Sequence, residues 1–146
     1  MWNNTNPTDK VFSVGNSHVS NKENNTYISY LFASVPDVSK VGSYTGTAAD
    51  LDIDAGFTNG ARFVLIKRVD DVGDWYFWDA ERGIIEGNDP YLLLNSAALE
   101  VTNTDYIDPL NSGFRITSNA PAALNANGGE YIYLAFAADN GLTNSS

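Results

Sequence analysis

Short runs of β-branched and aromatic residues recur along this 146-residue chain, each cut off by a cluster of Gly, Asn, Asp or Pro. No window pairs good helix formers with apolar residues at i, i+3, i+4 and i+7, so little or no helix is expected. The runs predict strands at Val11–Val14, Thr26–Ala33, Val38–Tyr44, Ala61–Val69, Asp74–Asp79, Tyr91–Leu94, Ala98–Thr102, Phe114–Thr117 and Glu130–Ala137. About nine short strands spaced by turns point to an all-β fold, an antiparallel β-sandwich of jelly-roll type. Asn59-Gly60 reads as a two-residue hairpin, Asp70 to Gly73 as a tight connection, and Asn127-Gly128-Gly129 as the lead into the last strand. The runs Ala61–Arg68 and Tyr131–Ala137 are apolar on both faces, which suits central strands covered on both sides.

Composition removes several functions. With no cysteine, disulfide staples, thiol nucleophiles and Cys-based metal sites are ruled out. A net charge of −10 repels phosphate backbones, so nucleic acid is not an expected partner. No apolar run is long enough for a membrane-spanning helix, and the first residues lack the pattern of a signal peptide. Catalysis is not expected either. His18 stands alone in a polar stretch with nothing to build a triad around it. The close acidic pairs, Asp79 with Glu81 and Glu86 with Asp89, would suit only a glycosidase. No cofactor is expected.

A weak internal repeat is visible. Pro7, Phe12 and Val14 recur 102 residues later as Pro109, Phe114 and Ile116, and Tyr27-Ile28 and Phe32-Ala33 recur 104 residues later as Tyr131-Ile132 and Phe136-Ala137. Residues 1–36 therefore read as the tail of one repeat contributing two strands, residues 37–140 as a complete repeat, and 141–146 as a C-terminal tail. The two orphan strands are expected to extend the sheet of 37–140 or to pair with a neighbouring subunit.

Three constellations invite a functional reading. Asp50, Asp52 and Asp54 alternate as in the opening of a calcium loop, but Gly56 falls one place late and Ala61 stands where a bidentate Glu belongs. The bland alternative is a strand or extended loop with one wet face, and the metal reading is weak. Along Asp74–Asp79, Trp75 and Phe77 point one way and Tyr76 and Trp78 the other. One face must be core, and the other is a stacking platform for sugars or an interface, so Trp75, Tyr76 and Trp78 are candidate contacts. Lys67 and Arg68 form a basic pair in an acidic chain. They would grip a carboxylated glycan or an acidic neighbour, or simply pair with Asp70 or Asp71.

The segments Val41 to Gly46, Gly56-Phe57, Val64 to Arg68, Asp74-Trp75 with Asp79 and Arg82, Ser112 to Phe114 and Gly128 to Ala137 occur in an order that resembles a repeat domain of bacteriophage virion proteins. That domain is of the tail-fibre or virion structural type found in marine and cyanobacterial phages. The resemblance implies a non-catalytic tail-fibre or appendage component acting in assembly and host-surface glycan attachment. Its partners would be other virion proteins and copies of itself, as a homo-oligomer with a trimer favoured. It would sit on the virion surface, assembled in the host cytoplasm and released by lysis. The alternatives are a capsid decoration protein, a polysaccharide depolymerase or a carbohydrate-binding module.

Overall fold

The computed structural model describes residues 3–139. The C-terminal tail expected over 141–146 lies outside them. The chain divides into two compact units between Leu31 and Phe32.

The larger unit is an antiparallel β-sandwich. Its strands are β1 (Ser39–Thr45), β2 (Leu51–Asp54), β3 (Ala61–Arg68), β4 (Trp75–Asp79), β5 (Leu92–Leu93), β6 (Ile107–Leu110), β7 (Gly113–Ile116) and β8 (Glu130–Ala137), with one helical turn, α1 (Ala122–Asn125), before β8. One sheet runs β1-β8-β3-β4-β5 and the other β2-β7-β6. As their two-sided apolar pattern requires, β3 and β8 lie inside the larger sheet, joined from Ala61↔Ala137 to Arg68↔Tyr131.

Alternation puts one set of side chains from each strand between the sheets. Val64 and Ile66 of β3, Trp78 of β4 and Tyr131 and Ala135 of β8 meet Ile107, Phe114 and Ile116 of the smaller sheet, all fully buried. The Phe114 and Tyr133 rings meet edge-on across the sheets at 5.4 Å. Each large apolar side chain buried this way stabilises the fold by about 1.5–3 kcal/mol over leaving it in water.

A buried asparagine in this core ties loops to it. Asn125 accepts from the Thr47 and Ala48 amides (2.9 and 3.3 Å) and donates to the carbonyls of Ala49 and Thr117 (2.9 and 3.2 Å). A helix of one turn leaves its carbonyls unsatisfied. Here the Tyr131 and Tyr44 hydroxyls donate to the Ala122 and Leu124 carbonyls at 2.6 and 2.7 Å, and burial raises the Tyr44 phenol well above its usual range.

The structure corrects the expectations at several points. Val11–Val14 and Thr26–Ala33 form no regular strand, and Phe12 is 37% exposed where its repeat partner Phe114 is fully buried. Within the larger unit the bridge Val35↔Ser39 adjoins β1. Beside it, Ser34 occupies that edge: its Oγ accepts the Val41 amide at 3.0 Å and its hydroxyl faces the Val41 carbonyl at 3.3 Å. Ala98–Thr102 yields a single bridge, Tyr91↔Val101. Asn59-Gly60 is no hairpin, because β2 and β3 belong to different sheets. Gly60, with φ +78°, turns the chain between them and donates to the Asn111 carbonyl at 2.7 Å.

In the smaller unit, described from residue 3, turns and side-chain hydrogen bonds organise the chain. The Tyr27 hydroxyl receives the Lys22 amide at 2.8 Å and lies 3.3 Å from the His18 carbonyl, so one ring closes the polar stretch around His18.

Candidate functional site

The larger sheet has a second apolar face, turned away from the core. Cross-strand partners point to the same side, so the register places Val41, Leu134, Leu65, Phe77 and Leu92 in one row across all five strands. A phenylalanine ladder crosses the face alongside it. Phe32 stands edge-on to Phe136 (6.3 Å between centroids), Phe136 meets Phe63 (5.5 Å), and Phe63 stacks on Phe77 (5.9 Å). Arg82 closes the ladder with its guanidinium 5.1 Å from the Phe77 ring, held there by Asp79 and by Glu100 at 3.5 Å. A third row holds Trp75, Lys67 and Ile132. Val41 and Ile132 remain 44% and 41% exposed.

This geometry divides the expected contacts. Trp75 and Lys67 lie on the outer face. Tyr76 and Trp78 do not: they face the core, Trp78 without any exposure and Tyr76 at 9%, so neither ring offers a stacking surface on that face. Arg68 also points away from the outer face. It forks onto Asp70 at 2.8 and 3.1 Å, donates to the Ala122 carbonyl at 3.0 Å and lies over the Tyr131 ring. That pair holds the Asp70 carboxyl down at about 2. Arg68 is a strand-end clamp, and the basic pair is split between the two faces.

The three alternating aspartates are each engaged separately. Asp50 accepts the Ser118 amide (2.7 Å), Asp52 pairs with Arg115 (2.6 Å), and Asp54 accepts the Gly56 amide (2.8 Å). The hydrogen bond to Ser118 and the bond to Arg115 hold the Asp50 and Asp52 carboxyls below the usual range. Among the described residues no group of three or more His, Asp or Glu side chains is placed to hold a metal ion. Of the acidic pairs, Asp79 is bound to Arg82 and Asp89 is fully buried.

Sequence reasoning missed a second cluster. At the end of the sandwich where β4 and β5 approach the start of β6, Tyr91 packs against Tyr76 (5.1 Å), Trp78 (5.9 Å) and Tyr106 (5.7 Å). Beneath them Asp89 accepts the Trp78 indole N–H at 3.1 Å and the backbone amides of Tyr106 and Ile107 at 3.0 and 3.3 Å. Burial pushes this carboxyl up to about 7 against the pull of those amides. Asp74, bonded to Asn95 at 2.9 Å, borders the cluster. Burial, the neighbouring phenols and Asp74 raise the Tyr76 and Tyr91 phenols, so both stay protonated donors at neutral pH. The only signal in the sequence was a Tyr directly beside each of two short apolar runs, too common a pattern to single out.

A family model described as a domain of unknown function (DUF7483) matches residues 1–140. No curated protein and no solved structure matches the chain.

Proposed function

This chain belongs to the DUF7483 family, and for it we propose a non-catalytic role as a structural module of a phage particle, in a tail fibre or similar appendage, acting through contact with copies of itself. The observation that carries this reading is the outer face of the larger sheet. A domain that has already buried a core between its sheets still presents a continuous apolar surface built around the phenylalanine ladder, with Val41 and Ile132 open to water. Surfaces of this kind mark protein–protein contact. The resemblance of Val64 to Arg68 and Gly128 to Ala137 to virion repeat domains supports the particle assignment.

Copies carrying a charge of −10 repel one another at long range, and salt screens that repulsion. Self-association through the apolar face is therefore expected to strengthen as salt rises. Sedimentation of the purified chain at low and high salt tests the contact. Assembly that survives the double substitution Val41→Lys and Ile132→Lys in a folded protein would remove this face from the interface. Immunogold labelling of intact virions tests the location. Label on the tail or fibre ends is expected, and label over the head would replace the appendage reading by one of capsid decoration.

A further inference from the structure

The face that carries the phenylalanine ladder is apolar, and the opposite outer face of the larger unit is not. On the smaller sheet the register sets Asp52, Arg115 and Asp108 in one row across all three strands. Asp54 stands on the same side of β2, two residues from Asp52. Within the larger unit, the apolar face therefore has one matching sheet face, which is the same face on a second copy. Contact between like faces is isologous: what a residue meets on the partner meets that residue in return, and two copies complete it. A trimer would need a second, different surface on each copy.

We propose, resting on the reading of this face as a contact between copies, that the chain forms a two-fold dimer. The larger sheets stack face to face about an axis that runs along the strands between β8 and β3. That axis sets β8 against the partner's β3 and β1 against the partner's β4, so four of the five strands overlap. Leu134 then faces the partner's Leu65, Phe136 the partner's Phe63, and Val41 the partner's Phe77.

The charges on the face fit this arrangement. Lys67 and Glu130 stand in neighbouring rows, and neither has an ion partner among the described residues. The Lys67 ammonium donates to the Arg68 carbonyl and has further N–H groups to give. Glu130 lies opposite Val69 in its own sheet, so across the axis it faces the partner's Val69. The partner's Lys67 is one row away, about 7 Å along the strand, within reach of two extended side chains. The pair forms twice, once on each side of the axis. The stack also turns the acidic faces outward. With layers about 10 Å apart, the two rows through Asp52 lie about 30 Å from each other, several Debye lengths at physiological salt.

Sedimentation equilibrium of the purified chain at one fixed salt concentration tests the arrangement, with Lys67→Glu, Glu130→Lys and the double reversal alongside. A dimer is expected. Each single reversal should raise its dissociation constant at least about tenfold, and the double reversal should recover most of that loss. Net charge separates pairing from general repulsion. Glu130→Lys makes the chain less acidic, so repulsion alone would tighten the dimer where loss of the pair weakens it. Circular dichroism establishes that each variant is folded, and the stoichiometry of the unaltered chain decides even where a variant is not. A trimer or larger ring, a dimer that Glu130→Lys tightens or leaves unchanged, or losses that add in the double variant would overturn the two-fold stack and leave contact between copies standing. A chain that stays monomeric overturns both.

Discussion

The carboxylate of Asp89 accepts the indole N–H of Trp78 at 3.1 Å where neither side chain is exposed to water. Trp78 belongs to the larger sheet. The amides that share the carboxylate lie at the start of β6 in the smaller one. One side chain thus joins the two layers through hydrogen bonds. Removing it in Asp89→Ala leaves three N–H groups without an acceptor and is expected to destabilise the fold by about 3 kcal/mol. Urea unfolding monitored by tryptophan fluorescence measures the loss, and a change below about 1 kcal/mol would mean water replaces the carboxylate.

The same residue makes stability depend on pH. Its carboxyl is raised in the folded chain to about 7, so the folded state holds the proton more tightly than the unfolded one. That contribution is fully present below the unfolded value of about 4 and is lost as pH rises through about 7, an effect on the order of 2–4 kcal/mol. The melting temperature is expected to fall between pH 5 and pH 8. Asp89→Asn, which cannot titrate, should show a flatter profile over that window. Parallel profiles for the two proteins would assign the pH dependence to the overall acidic charge.

Asn125 is expected to be replaceable by neither a small nor an acidic residue. Asn125→Ala leaves the Thr47 amide without its acceptor and removes the bonds donated to the Ala49 and Thr117 carbonyls, while the Ala48 amide keeps the backbone carbonyl of residue 125, a loss of about 2 kcal/mol. Asn125→Asp keeps the acceptor but turns a charge toward the Ala49 and Thr117 carbonyls, so it should be the worse of the two. Denaturant midpoints rank them, and equal losses would count against a role for the donated bonds.

Two glycines should respond oppositely to alanine. A Cβ on Gly113 would be driven onto the Ile53 carbonyl and to 2.9 Å from the Ala55 nitrogen, both backbone atoms, so β2 and β7 would have to part. Around Gly56 there is open space, and only its φ of +72° resists the change. Gly113→Ala is expected to unfold the smaller sheet or cost about 3 kcal/mol or more, while Gly56→Ala costs about 1 kcal/mol. Comparable melting temperatures for the two variants would contradict the packing described here.

The larger sheet was the most legible part of the chain. β3 and β8 carry their apolar residues on both faces, a pattern that few positions in a small domain allow. β6 escaped notice because Pro109 lies within it, and proline argues against a strand except at an edge, which is where β6 lies. Phe12 and Tyr27 match Phe114 and Tyr131 in type and order, but a shared pattern of residues does not by itself fix a strand. At Trp75 to Trp78 alternation separated the two faces without saying which was core. Burial decided that, and the cluster around Tyr91 exists only because distant segments meet.

The serine that answers both polar groups of Val41 has a consequence for how the sheet can be extended. A sheet border satisfied by one hydroxyl offers no template at that point, and an incoming strand must first displace it. Growth by accretion is thereby discouraged at one border of the sheet, while side-by-side docking through the aromatic flank is left open.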